Sequence, residues 1–524
     1  MEAAATSASG PKAPSYQRYR VMWPLVPAMA MVMIDFTIVS ISVTTIQKDL
    51  SLSATGAQWT VTAYALATAA VIALGGRLGD IIGHKRIVAI GVVVFAVASL
   101  LCGLTPDTGS VAEPWLIVFR TAQGVGGALL IPSTTVLVLN SFPPDERGKG
   151  LSLFFIVAGL FTAIGPIAGS YLTEYWTWRA IFWINVPVAI FALAEMRLVS
   201  LADVRQPGRI DWRGAFLLVV GLGLTVLGIQ ESTAWGWGSP ATIGSIAVGL
   251  VVLVVFCVVE ARTDGPIIDV GAMVRNRPFF VDTVVIFLFF SVWIAIFFFG
   301  SMYFQIAVGQ PPSRAGFSIL TVFYPFFATS RIGGVMLDRV GAKVPTVVGL
   351  LVTAVGMGIW AYELPDLSHS DTLVGMLVTG AGLGLVMSPV NTDALNRFGL
   401  RQRGEASGVV QTARNFGSAV GVAVLGTIVL TVQQDRIEDL LHKFGLPTGR
   451  ADDIAEKILQ SGSRVADQAG QAAGPIGEAV GHTFQQGFAD ACQSAFAAGG
   501  AIMFVAFLVV ALAFMQPGRE TATE

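Results

Sequence analysis

The sequence predicts an all-α integral membrane protein: two six-helix bundles with two further transmembrane helices inserted between them. Three observations carry that expectation. The composition is too apolar for a soluble chain, stretches of membrane-crossing length recur from end to end, and one signal repeats in both halves. Of 524 residues, 54% are hydrophobic and 13% charged, against ~25% charged in ordinary soluble domains. The mean hydropathy of +0.70 agrees. The 58 Gly and 24 Pro are scattered among Val, Ile, Leu and Phe without a triplet period, which excludes a collagen-like chain. A net charge of -2 leaves no basic field for a nucleic-acid backbone.

Apolar stretches of roughly 18 to 26 residues, enough to cross ~30 Å of hydrocarbon at ~1.5 Å per residue, recur about fourteen times. They begin near Val21, Gln58, Ile87, Trp115, Leu151, Ala180, Trp212, Thr242, Phe279, Ala315, Val344, Thr372, Gly408 and Ala495. The first should persist as an anchor, because residues 1–20 lack the short apolar core and cleavage site of a secretory signal. An even number of crossings puts both termini on one side, and the basic loops decide which. His84-Lys85-Arg86, Arg147 with Lys149, Arg205 with Arg209 and Arg213, Arg275 with Arg277, Arg339 with Lys343, and Arg401 with Arg403 all fall on the side of the N-terminus. Both termini are therefore expected in the cytoplasm, and the chain in the inner (cytoplasmic) membrane of a cell. The expected division is a tail 1–20, a first bundle 21–200, inserted helices 201–262, a second bundle 263–516, and a tail 517–524. Within the second bundle, a long outer segment 433–487 mixes charges with Ala and Ile at helical spacing and is expected to form surface helices at the membrane rim.

The repeat is specific. Gly76-x-Leu78-Gly79-Asp80-x-x-Gly83 follows the second span, and Gly334-x-Met336-Leu337-Asp338-x-x-Gly341 follows the tenth. About 67 residues beyond Asp80 comes Arg147-Gly148, and about 65 beyond Asp338 comes Arg403-Gly404, in the same order. The glycines suit a tight turn and close helix approach. Asp80 needs a positive partner, and the start of the thirteenth span near Gly404 offers a helix N-terminus on the same side, so a latch between halves is expected there. Lys85 and Arg86 either supplement that latch or anchor the inner interface, and Arg339 stands beside the second copy.

Gly75-Gly-Arg-Leu-Gly-Asp-Ile-Ile-Gly-His-Lys-Arg86 resembles the loop signature of the major facilitator superfamily. The likeness runs through nearly the whole chain. Asp35-Phe-Thr37-Ile-Val, Trp59-Thr-Val-Thr-Ala-Tyr64, Arg120-x-x-Gln123-Gly124, Trp178-Arg179, Asn185-Val-Pro187, Gly404-Glu405-Ala-Ser407-Gly408 and Arg414-Asn-Phe-Gly417 narrow it to the fourteen-span drug:proton antiporter family (EmrB/QacA-like). The resemblance implies a major facilitator fold. Gly165-Pro166-Ile-Ala-Gly169-Ser170 resembles that family's antiporter motif, with Ser in place of the last Gly; Ser40, Thr44 and Ile81 also depart from its pattern.

Ionisable groups inside apolar spans cost on the order of 2.5 to 3.5 kcal/mol at a helix centre and mark function by default. Asp35 lies about 14 residues, ~21 Å, from the inner start of span one, and Arg120 about 5 residues inside the outer edge of span four, ~20 Å from the cytoplasm. Their depths agree. Asp35 is expected to bind the coupling proton with Arg120 as its counter-charge; the competing reading is a static pair holding two helices together. Arg414, about ten residues into span thirteen, is expected in a cavity or gate, with snorkelling to the interface as the alternative. Asp282 and Asp393 lie near inner span ends and read as solvated or capping groups, not proton carriers.

Phe36, Thr37, Trp59, Gln123, Tyr303, Gln305, Gln411 and Arg414 are the expected walls of a mainly apolar substrate cavity. Buried polar groups also join helices, which is the simpler reading of each taken singly. No catalytic set and no metal site is expected. Cys102, Cys257 and Cys492 are far apart with no CxxC spacing, and His84, His369, His442 and His482 read as solvated loop residues. The sequence therefore points to a secondary active transporter, not an enzyme, exporting amphipathic drugs or related organic compounds in exchange for protons by alternating access. It needs no cofactor beyond the proton and works as a monomer among membrane lipids. A lipid or lipid-precursor translocator of the same fold is the alternative.

Overall fold

The computed structural model describes residues 19–107, 109–143, 146–201, 203, 205, 210–263, 266–268, 270–397, 403–443, 447, 455 and 475–513. The two expected tails, apart from Tyr19 and Arg20, and most of 444–474 lie outside the described residues. Fourteen helices are long and apolar enough to cross a membrane. They are α1 (Met22–Leu50), α2 (Ala54–Ile82), α3 (His84–Gly103), α4 (Gly109–Ser141), α5 (Arg147–Tyr175), α6 (Ala180–Leu198), α7 (Trp212–Gln230), α8 (Pro240–Glu260), α9 (Arg277–Met302), α10 (Pro312–Val340), α11 (Lys343–Glu363), α12 (Leu373–Asn396), α13 (Arg403–Lys443) and α14 (Pro475–Ala513). The face that carries the basic loops is called the basic face below, and the opposite one the far face.

The repeat seen in the sequence is a repeat of packing. In the first bundle α4 packs on α2 and α3, and α5 packs on α1; in the second, α12 packs on α10 and α11, and α13 packs on α9. The repeated loop glycines take up the same task in both copies, Gly83 with φ 111 and Gly341 with φ 80. An L side chain is strained there, so the two turns need glycine. The inserted α7 and α8 pack on each other, and α7 also rests on α2 and α13.

The helices overrun the hydropathy windows where capping chemistry or small residues permit. Ser53 accepts a hydrogen bond from Gly56 N and starts α2 four residues before its expected Gln58. The fourteenth span begins by Thr483 rather than Ala495, because small and polar residues continue the helix beyond the apolar run. The two flanks of the long outer segment are therefore extensions of α13 and α14 rather than separate rim helices, and Arg436 of one pairs with Asp490 of the other at 3.1 Å. At the far end of α9 the helix widens into a π turn, Tyr303–Ala307, which closes with Val308 N donating to Tyr303 O. Hydropathy carries no trace of that turn.

Close helix approach depends on glycine where the motif-bearing helices cross. A Cβ on Gly169 of α5 would stand 2.6 Å from Ile38 Cγ1 and 2.9 Å from Ile38 O of α1. Gly169→Val should push α1 and α5 apart and destabilise the first bundle by about 1–3 kcal/mol. Gly223→Ala, on α7 with nothing within 4 Å of its Cβ position, should not. Thermal midpoints of the purified proteins in one detergent check this; equal midpoints for the two variants would contradict the packing described.

Candidate functional site

Near mid-span in the first bundle, five helices converge on a carboxylate. Asp35 of α1 and Arg120 of α4 are each 1% exposed. Arg120 Nη1 donates to Asp35 Oδ2 at 2.6 Å, and Gln123 Nε2 donates to Asp35 Oδ1 at 2.8 Å. Arg120 Nη1 also reaches Gln123 Oε1 at 2.7 Å, and its Nε donates to Thr60 O of α2 at 2.7 Å. Ser99 of α3 accepts from Gln123 Nε2 at 3.2 Å and from Asn185 Nδ2 of α6 at 2.8 Å, while its own hydroxyl donates to Phe182 O at 3.0 Å. The guanidinium carbon lies 4.6 Å from the centroid of the Tyr64 ring and 5.9 Å from that of Phe182. The depth agreement read from the sequence is thus a direct contact.

Such a site stores charge out of water. Both carboxylate oxygens are occupied, and the guanidinium is clamped by side-chain, backbone and ring partners. Its stability rests on that full complement, because removing one member leaves the other as a bare buried charge. Of its members, Ser99, Asn185, Thr60 and Tyr64 were not singled out as site residues. Thr60, Tyr64 and Asn185 fall within the motif stretches, whereas Ser99 looks like an ordinary small polar residue of a span.

The expected cavity residues do not form one pocket. Thr37 turns to α5, donating to Thr162 O at 2.9 Å, and Gln123 belongs to the carboxylate network. Trp59 is a strut: its Nε1 donates to Glu231 Oε1 at 2.7 Å, and it packs against a cluster that includes Val226 of α7 and Ala419 and Ala423 of α13. Tyr303 is fully buried inside the second bundle with its hydroxyl on Leu364 O at 2.7 Å. In each case a polar atom has found a helix partner, the usual fate of a polar group in an apolar span. Phe36 sits edge-on to Tyr64, 5.1 Å between centroids. Gln411 is half-buried, and Arg414 lies with its guanidinium carbon 4.3 Å over the Phe290 ring, with no ion pair among the described residues.

The two bundles meet along a seam whose named contacts lie toward the far face. Gln305 Nε2 on the π turn donates to Ile41 O of α1 at 2.9 Å, and Ser313 N of α10 donates to Glu174 Oε2 of α5 at 2.8 Å. The antiporter-like stretch takes part: the backbone of Pro166 and the side chain of Ser170 face Gly316 of α10, while Gly165 lets Thr37 of α1 approach within the first bundle. A small cavity of about 30 Å³ lies in the same seam between Gln47, Gln58, Phe299, Gln433 and Phe488. None of the expected cavity residues lines it. Gln58 Oε1 there is buried and has no hydrogen-bond partner among the described residues.

At the basic face Asp80 is partnered by His84. His84 Nε2 lies 3.2 Å from Asp80 Oδ1, and His84 Nδ1 lies 3.4 Å from Ser133 Oγ. His84 is 2% exposed, not a solvated loop residue; its backbone N–H, with that of Lys85, donates to the Asp203 carboxylate at 2.8 and 3.3 Å. Lys85 is half-buried and Arg86 exposed. Gly76 faces Pro132, and in the second copy Gly334 faces Ser388 while Asp338 and Arg339 are exposed. The side chains of 403–405, where the latch partner was expected, lie outside the described residues. Asp282 is the other departure. It is 2% exposed rather than solvated, and Asp393 is paired with Arg397 at 2.6 Å.

Two like bundles of membrane-crossing helices joined along a seam, one of them organised round a buried ion pair, define a two-domain membrane transporter. The Major Facilitator Superfamily model matches residues 25–422. The chain belongs to that superfamily, and it is a transporter, not an enzyme. It is 32% identical over 517 residues to the tetracenomycin C resistance and export protein of Streptomyces glaucescens, covering 96% of this chain and 93% of that one. It is 33% identical over 425 residues to a puromycin resistance protein of Streptomyces alboniger, covering 78% and 82%. Among solved structures, a bacterial homologue of the human lysosomal transporter Spinster, inward-facing and unoccupied, superposes with a TM-score of 0.63 at 15% identity over 97% of this chain and 100% of that one, a likeness of fold.

The ion pair yields a stability test. Arg120→Met leaves Asp35 buried and uncompensated and should destabilise the protein by about 3–5 kcal/mol, whereas adding Asp35→Asn to it should recover a large part of that loss. Thermal midpoints of the single and double variants measure the coupling. Strictly additive losses would mean that the two groups do not interact.

Proposed function

We propose that the protein is a proton-coupled exporter of amphipathic organic compounds, antibiotics and other drugs among them, working by alternating access. The observation that carries the coupling is the Asp35–Arg120–Gln123 contact: a carboxylate at mid-span, held out of water by a guanidinium in an adjacent helix. A proton arriving on Asp35 cancels its charge and loosens Arg120, so proton occupancy and helix packing are linked. Export as the direction is supported by the relatives, whose names record tetracenomycin C export and resistance and puromycin resistance. Alternating access is supported by the two-fold packing and by the seam, whose named contacts cluster at one face and could part as the bundles rock.

In this reading the basic face is cytoplasmic, both termini lie there, and the chain sits in the cytoplasmic membrane as a single transport unit with both bundles in one polypeptide. The driving force is the proton gradient, with ~2.3 kcal/mol per charge per 100 mV added by the membrane potential when net charge moves.

The experiment is transport in proteoliposomes with an imposed pH gradient, following a fluorescent cationic dye, a polycyclic phenolic antibiotic and a labelled phospholipid side by side. Gradient-driven movement of dye or antibiotic is expected, with Asp35→Asn abolishing it while substrate binding persists. Undiminished gradient-driven transport by Asp35→Asn would overturn the assignment, and movement of the phospholipid alone would replace the exporter by a lipid translocator.

A further inference from the structure

We propose that Asp282 and Asp393 hold one proton between them and form a second proton-binding site, in the second bundle near the basic face and separate from the Asp35–Arg120 pair. Its part in transport rests on the proton-coupled reading above; its existence does not.

The argument begins with an orphan. Asp282, on the second turn of α9, is 2% exposed, and its Oδ2 is buried with no donor among the described residues. The group beside it is another carboxyl, that of Asp393 on α12, within hydrogen-bonding reach. Two ionised carboxylates are acceptors only, so a hydrogen bond between them requires a proton on one. The nearby cation is close to both, and its hydrogen bonds go to Asp393. Arg397 donates through Nε at 3.1 Å and through Nη2 at 2.6 Å, and both bonds go to Asp393 Oδ2. Its position is fixed from outside the pair as well, since Asn276 Nδ2 donates to Arg397 O at 3.2 Å.

Charge counting gives the same answer. Among the described residues, the charged groups beside Asp282 are Asp393 and Arg397, both from α12. From the described side chains of α13, the cation is Arg414, whose guanidinium lies over the Phe290 ring; the side chains of 403–405 lie outside the described residues. From α10, the rings of Phe323 and Phe326 meet Trp293, further along α9. Two acids and one guanidinium in a bundle interior are neutral when one proton is held, and carry an uncompensated buried charge when it is lost. The pair is also placed to exchange. Asp393 and Arg397 are each 16% exposed, so they link the buried Asp282 to water at the basic face. Losing the proton sets two like charges against each other between α9 and α12, which the helices relieve by parting or by admitting water.

Infrared spectroscopy of the full-length protein in lipid nanodiscs tests this without any substrate. The wild type at neutral pH should show the carbonyl stretch of a protonated, buried carboxyl. Part of that band should vanish in Asp282→Asn and in Asp393→Asn, survive in Asp35→Asn, and titrate away in the wild type as pH is raised, with the slope of a single proton. Two separate variants and the wild-type titration keep the test open if either variant folds poorly. A carbonyl band unchanged in both asparagine variants, or a wild-type band that does not titrate, overturns the proposal. The outcomes separate the two readings: this infrared pattern in a protein whose transport ignores the pH gradient would sink proton coupling and leave the site standing, while gradient-driven transport with no such pattern would do the reverse.

Discussion

The first bundle depends on one desolvated ion pair. A carboxylate and a guanidinium out of water are tolerable only if nearly every donor and acceptor is met, and meeting them here takes residues from α1, α2, α3, α4 and α6. Those five helices are therefore tied at one level. The bundle should move as a body, because any relative slip would open a charge to hydrocarbon. The second bundle is held differently at that depth: Trp293, Phe297, Phe323 and Phe326 pack mostly edge to face, with centroids 4.7 to 6.2 Å apart. Aromatic packing has no comparable directional demand. At that depth, two bundles with the same helix order thus have unlike interiors, one polar and exacting, the other aromatic.

The seam between them follows a third logic. Its named contacts are single hydrogen bonds to backbone groups, such as Gln305 on Ile41 O and Ser313 N on Glu174, beside glycine crossings. None is a buried ion pair, so separating the bundles there exposes groups that water can readily satisfy. Strong bonds lie within bundles and replaceable ones between them, which is what rigid-body rocking requires.

Much of this was legible in the sequence, for identifiable reasons. Span number follows from hydropathy because a helix must satisfy its own backbone in lipid, and the Gly-x-Leu-Gly-Asp repeat exposed the two-fold order because turn glycines are sterically irreplaceable. The Asp35–Arg120 contact was legible because charge inside a span is rare enough for equal depth to mean something. Polar residues in spans were not. Gln123, Trp59 and Tyr303 each bond a neighbouring helix, and no single-chain pattern says which neighbour a side chain will face. Asp282 shows the same limit from the other side: distance from a span end suggested water, but exposure was decided by α12 lying over it. His84 was misplaced likewise, since its polar run hid the Ser133 and Asp80 partners that bury it.

The inserted pair has a consequence for how the transporter meets the bilayer. Because α7 rests on both α2 and α13, it walls one flank of the crevice between the bundles, and α8 backs it from outside. On the opposite flank α5 and α10 touch each other, with no such buttress among the described residues. A greasy compound already dissolved in the leaflet would find one door shut and the other merely closed, so the two inserted helices make an otherwise symmetric machine one-sided toward its solvent.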